Sequence, residues 1–162
     1  MKRTTKNWLA GLLVMLLVIS FFGSSTLTAA PQPNQPTDEE QLAFELLNAD
    51  RQANGLYLLS WNPQLAELAR AHAQDMQRRD YFSHDNPEGQ SPFDRMRQRG
   101  IKYRFAGENL ASNSNVEAAE IALMNSPGHR ANILNSHFGE VGIGVCHDND
   151  GSVLVVQEFI GK

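Results

Sequence analysis

The chain has 162 residues, 41% of them hydrophobic, with 14 Lys and Arg against 18 Asp and Glu and a single Cys. Lys2, Arg3 and Lys6 fall within the first 30 residues and every acid after them, so residues 31–162 carry 11 basic against 18 acidic side chains, a net charge of −7 with His neutral. That balance, with no basic cluster interleaved with aromatics, argues against nucleic acid as a partner, and one Cys excludes an internal disulfide, so an exported domain of this size must rest on its core.

Residues 1–30 stand apart from the fold. Three cations precede an apolar run from Trp8 to Phe22, and Thr28-Ala29-Ala30 offers small residues for cleavage. This is the layout of a secretory signal peptide. The run is shorter than the roughly 20 residues that span a bilayer, so cleavage is expected rather than an uncleaved anchor, leaving no stable membrane span. The product is then secreted, extracellular or held in the cell envelope. Residues 31–37, rich in Pro, Gln and Asn, read as a disordered linker. Residues 38–162 make one domain.

Thr37 with Glu40 three residues later forms a capping box for a first helix that ends at Asn54-Gly55. Leu56 to Trp61 reads as a short apolar connection. Asn62-Pro63 opens a second helix, with Leu65, Leu68, Ala69, His72, Ala73 and Met76 as its buried stripe. His72 within that stripe is read as a packed core residue. Tyr81 to Gly89 is a loop of turn formers, and Ser91-Pro92-Phe93-Asp94 starts a short helix stopped by Gly100. Arg95, Arg97 and Arg99 on it read as a solvated face or as partners for nearby acids. Phe105 to Ala111 is too short to classify, and Ser112 to Asn115 is turn-like. Val116 to Asn125 reads as a helix, and Ser126-Pro127 restarts one with His129 in its first turn. Val141 to Cys146 alternates as a strand, Asp148 to Gly151 is a hairpin turn, and the returning strand from Val153 to Ile160 is largely apolar on both faces. A strand of that kind needs a sheet covered on both sides, hence helix–sheet–helix layers. Cys146 reads as a strand residue rather than a catalytic thiol.

Chemistry concentrates around Gly107-Glu108-Asn109, bracketed by His84 upstream and His129 downstream. A helix N-terminus disfavours imidazolium at His129, and neutral imidazole is the form a metal ligand or a general base requires. Glu108 can orient either ring. Two His and a carboxylate match an open zinc-type site with positions left for water. The bland reading is that Glu108 and Asn109 bond buried backbone and that both His are structural. No His-Glu-x-x-His helix, Gly-x-Ser-x-Gly elbow or Gly-rich phosphate loop is present.

Taken together, Leu47-Asn48…Arg51…Gly55-Leu56, Leu59-Ser60-Trp61, Phe82-Ser83-His84, Ser91 to Arg95, Gly107 to Ala111, Asn125 to Leu134 and Val141 to Val145 resemble the bacterial branch of the CAP superfamily. That superfamily groups cysteine-rich secretory proteins, antigen 5 and pathogenesis-related proteins, and the resemblance covers residues 41–160. It implies an α+β fold, a three-layer αβα sandwich with a central, mainly antiparallel sheet (the CAP, or SCP-like, fold). It also implies a cleft lined by two His and two Glu, whose His pair can hold zinc or another divalent cation. By motif, His84, Glu108 and His129 take three of those places. The fourth, a Glu on the helix before the second His, has no clear match, and Glu117 and Glu120 are the candidates. Two functions are weighed. One is an extracellular binding module for a divalent metal or a small ligand such as a lipid, a cell-wall component or a protein. The other is a metal-dependent, protease-like hydrolase with metal on His84 and His129 and Glu108 as general base. A lipid groove would draw on Phe93, Met96, Phe105, Ile121 and Met124, which otherwise belong to the core. An acidic module behind a flexible spacer is expected as a free or wall-associated monomer.

Overall fold

The computed structural model describes residues 35–162; the expected signal peptide and most of the linker lie outside them. Helix α1 (Asp38–Ala53) starts at the expected capping box. Thr37 Oγ1 accepts from Glu40 N at 3.3 Å and Glu40 Oε2 from Thr37 N at 2.9 Å. The short strand β1 (Ser60–Trp61) follows, then α2 (Pro63–Arg79), capped by Asn62 with Pro63 at its first position. Asp80 ends α2 in the left-handed region at φ 54°, where a short polar side chain is tolerated. Next come α3 (Pro92–Gln98), β2 (Phe105–Asn113), α4 (Val116–Asn125), α5 (Pro127–Ile133), β3 (Glu140–His147) and β4 (Val153–Gly161).

The sheet runs in the order β1-β3-β4-β2. β1 pairs parallel with β3, and the other two pairings are antiparallel. All nine residues of β4 are buried, as a strand apolar on both faces requires. One face packs Leu47, Leu123, Ile133, Val141, Ile143, Val155 and Phe159 against α1, α4 and α5. The other packs Leu110, Val156 and Ile160 against α2 and α3 through Leu65, Ala69, Met76 and Met96. This is the three-layer αβα sandwich with a mainly antiparallel sheet.

The Val-Gly-Ile-Gly-Val alternation in β3 does more than mark a strand. A Cβ at Gly142 would fall on the backbone N of Ala66, and one at Gly144 on that of Arg70. The glycine face of β3 therefore lets α2 lie directly on the strand backbone. Across the sheet, the buried Arg51 of α1 donates to three carbonyls, Tyr57 O at 2.9 Å, Ile133 O at 2.7 Å and Asn135 O at 3.0 Å. It thereby ties the end of α5 to the loop before β1.

Two local readings change. Phe105 to Ala111, left unclassified, is β2, and it continues through the turn-like Ser112 and Asn113. Its Gly, Glu and Asn residues carry little strand propensity, and pairing with β4 over nine positions supplies what propensity lacks. The apolar side chains considered for a groove do not converge. Met96 is core, Met124 packs on the α1 side, Phe105 lies against His137, and Ile121 is exposed. Cys146 sits on β3, half-buried, with its thiol pKa pushed up by burial.

Candidate functional site

β2 is an edge strand, so its side chains are reached from both helical layers at one margin of the sheet. Alternation sends Glu108 to the α2–α3 side and Asn109 to the α1–α4–α5 side. The register puts Glu158 of β4 opposite Glu108 and Gln157 opposite Asn109.

On the α2–α3 side, Glu108 is buried and both of its oxygens are engaged. His84 Nδ1 lies 2.7 Å from Oε1, and Arg95 Nη2 donates to Oε2 at 2.6 Å. Arg95 also holds the loop that carries His84, donating from Nη1 to His84 O at 2.8 Å and Gln90 O at 3.1 Å. His72 fixes the same loop from below. It is buried, and its Nε2 donates to Ser83 O at 3.0 Å. Burial lowers the pKa of His72, with the charge of Arg95 adding to the effect, so the ring is a neutral core residue.

The two bracketing imidazoles differ. His84 is half-exposed, and its hydrogen bond to Glu108 raises its pKa despite some desolvation. Because a carboxylate oxygen accepts from Nδ1–H, the Nε2 lone pair of the neutral ring is left free. The pKa of His129 is lowered, first by burial and then by the charge of His84. Its Nδ1 is buried without a partner among the described residues. His84, Glu108 and Asn132 line a cleft of about 350 Å³ with Ser91, Phe93 and Gly107. His129 is not in that lining; it stands in α5, and its backbone carbonyl accepts from Asn109 Nδ2 at 3.1 Å. Asn132 joins the two halves, donating to Glu108 O at 3.2 Å and to Asn109 Oδ1 at 2.9 Å. Gly107 makes room for this, since a Cβ there would lie 3.1 Å from Asn132 Oδ1 and 3.0 Å from Phe138 Cζ.

Neither candidate for the fourth acid lines the cleft. Glu117 is exposed, and Glu120 is buried on the α1 side, where its Oε2 accepts from Gln157 Nε2 at 2.7 Å. A second acid nevertheless stands behind Glu108. Glu158 is fully buried, and neither of its oxygens meets a donor, with Arg95 Nη2 3.8 Å from Oε1. Burial and the adjacent Glu108 charge hold its pKa well above the carboxylate range, against the pull of Arg95.

Sequence reasoning thus missed Glu158 and Gln157, and it read Arg95 with Arg97 and Arg99 as a solvated face or as partners for acids, of which the second holds for Arg95 at Glu108. A signal was present. Gln157-Glu158 is the one polar pair in an otherwise apolar stretch of β4, and such a pair must be satisfied from both layers. Arg97 and Arg99 behave as expected, pairing at the surface with Asp94 and Glu67.

An unpartnered buried Nδ1 on His129 and an Nε2 left free by Glu108 are the features two imidazole ligands need. Among the described residues no three His, Cys, Asp or Glu side chains converge on a common point that could hold a metal ion. Any cation held by the pair would therefore take the rest of its ligands from water or from the bound molecule. Also among the described residues, no helix is long and apolar enough to cross a membrane.

Residues 44–159 match the family model of the cysteine-rich secretory protein family, CAP. An uncharacterized protein of Bacillus subtilis, YkwD, is 43% identical over 138 residues, which cover 85% of this chain and 52% of that one. An extracellular protein of Bacillus anthracis containing an SCP domain has a crystal structure that superposes with a TM-score of 0.71 at 38% identity. That match covers 76% of this chain and 40% of the other. An outer surface protein of Borrelia burgdorferi superposes with a TM-score of 0.72 at 20% identity, over 79% of this chain and 96% of the other, a likeness of fold. The chain therefore spans about half the length of YkwD and less of the Bacillus anthracis protein.

Proposed function

The chain belongs to the cysteine-rich secretory protein family, and we propose that it is an extracellular binding module. A divalent cation, zinc or a similar ion, is held between His84 at the cleft and His129 on α5 outside its lining, and small ligands bind beside it. The observation that carries this reading is the double engagement of Glu108. With one oxygen on His84 and the other on Arg95, the carboxylate orients an imidazole. A general base would need an oxygen free for substrate water. The metal-dependent hydrolase is on that account the weaker reading.

In the bound state a cation would supply a Lewis-acid point for an oxygen of the ligand. The chain's own residues do the rest. Glu108 fixes the His84 tautomer, Arg95 keeps Glu108 in place, and Asn132 sets the spacing between the two halves. Phe93, 43% exposed at the cleft, offers an apolar wall for a lipid or for the apolar face of a cell-wall fragment. Export is supported by the Bacillus anthracis relative, which is described as extracellular.

Calorimetric titration of Zn²⁺ into residues 31–162 tests the reading, alongside His84→Ala and His129→Ala. One-to-one binding in the wild type is expected, weakened at least about tenfold in either variant. Binding that survives both substitutions, or no binding at neutral pH, would reject the cation site.

A further inference from the structure

The face of the sheet turned away from the cleft carries a buried carboxylate that the binding reading does not use. Glu120 of α4 is 4% exposed and among the described residues has a single hydrogen-bond partner, Gln157, while its Oε1 has none. No cation pairs with it among the described residues, and the one charge that acts on it is the like charge of Asp50 on α1. An isolated buried carboxyl is costly and calls for a reason.

The reason lies in the direction of the bonds that follow. A carboxylate can only accept, so Gln157 must present its NH₂ to Glu120 and turn its Oε1 the other way. That oxygen accepts from Asn109 Nδ2 at 3.1 Å. Asn109 Nδ2 also donates to His129 O at 3.1 Å, and its Oδ1, so oriented, accepts from Asn132 Nδ2 at 2.9 Å. Asn132 in turn donates to Glu108 O. Every amide in the chain has one orientation, and Glu120 fixes it at one end as the carbonyls of His129 and Glu108 do at the other.

We propose that Glu120 is a positioning residue for the cleft. From the opposite layer it sets the orientation of Gln157 and Asn109, and through them the backbone of His129 and the Asn132 bridge to Glu108. The proposal rests on the reading of the cleft only in its zinc arm, because the amide geometry exists without a ligand. Burial pushes the Glu120 carboxyl up to about 7, with Gln157 opposing and Asp50 adding to it, so the group changes charge near neutrality. Protonation weakens the acceptor on which the chain of amides is anchored. The groups packed around Glu120 that bear on this are Asp50 from α1, Gln157 from β4 and, through Asn109, the carbonyl of His129 from α5.

Nitrogen-15 NMR of residues 31–162 without metal, followed across pH, tests this with Glu120→Gln and Glu120→Leu. In the wild type, the side-chain amides of Asn109 and Gln157 and the backbone amide of Arg130, which follows the His129 carbonyl, are expected to shift together with one inflection near pH 7. Glu120→Gln keeps an acceptor, so the Asn109 amide stays protected from exchange and the inflection disappears. Glu120→Leu leaves Gln157 Nε2 without a partner. Protection of the Asn109 amide is then lost, the Arg130 signal moves, and zinc affinity falls about tenfold. Unchanged Asn109 and Arg130 signals in Glu120→Leu would overturn the proposal. Should that variant not fold, the comparison of wild type with Glu120→Gln decides. A shared inflection that Glu120→Gln removes upholds the proposal, and its absence in the wild type overturns it. If zinc fails to bind while the amide pattern appears, the cation reading falls and the positioning role stands.

Discussion

Gly142→Ala is expected to prevent folding at 25 °C or to lower stability by at least about 3 kcal/mol, at or beyond the upper end of the overpacking range. The new methyl would meet the backbone N of Ala66 and the carbonyl carbon of Leu65, in a helix already seated on β3. Backbone cannot swing aside as a side chain can, so α2 would have to lift from the sheet. That movement would open the cluster of Leu65, Leu68, Met96, Ile101 and Ile160. Gly139→Ala is the control, because its Cβ points into open space, and it is expected to stay within about 0.5 kcal/mol of the wild type. Urea unfolding of the two variants measures the difference. A Gly142→Ala protein within about 1 kcal/mol of the wild type would contradict the direct contact of α2 with β3.

Arg95→Met is expected to lower stability by about 3–5 kcal/mol at neutral pH, the range for removing one partner of a buried ion pair. Arg95 is the permanent cation on the buried Glu108 carboxylate, and it also bonds the carbonyls of His84 and Gln90. Methionine fills part of the volume but leaves the two buried carboxyl groups without the guanidinium. Glu158→Gln separates the second acid. In the folded protein Glu158 holds its proton well above the ordinary value of 4.5, while the unfolded chain releases it there. The stability it contributes is therefore fully present below about pH 4.5 and is lost as pH rises toward the folded value. Glu158→Gln removes that slope, so it should match the wild type near pH 4 and exceed it at neutral pH. Chemical unfolding at pH 7 reads the first effect and the comparison of pH 4 with pH 7 the second, and an Arg95→Met penalty under about 1 kcal/mol at pH 7 would contradict the account of the clamp.

Where the sequence carries local chemistry, it is legible. The caps at Thr37, Asn62 and Ser91, the turn at Asp148 to Gly151 and the apolar run of β4 can each be read from a few residues, and each forms as read. Glu108 was legible as a carboxylate able to orient either imidazole, and the ring it holds is that of His84. Information that depends on register was not. Arg95 looks like its neighbours Arg97 and Arg99 on a polar helix, and only the docking of α3 on β2 turns it inward. Glu158 meets Glu108 because β2 and β4 pair with those two residues opposite, and a slip of one position would send Glu158 to the other face. The two glycines of β3 read as alternation, and their real role depends on where α2 lies. Glu120 was weighed for the cleft because it precedes His129 on the chain, whereas the helix turns it to the far side of the sheet.

The most direct test of the cleft is the tautomer of His84, read from the imidazole nitrogen-15 shifts above its raised pKa. If Glu108 orients the ring as the 2.7 Å contact indicates, Nδ1 carries the proton and Nε2 is bare, ready to bind a cation. A proton on Nε2, with Nδ1 bare, would contradict the account, because Glu108 would then not be holding the ring and the lone pair would be turned away from the cleft.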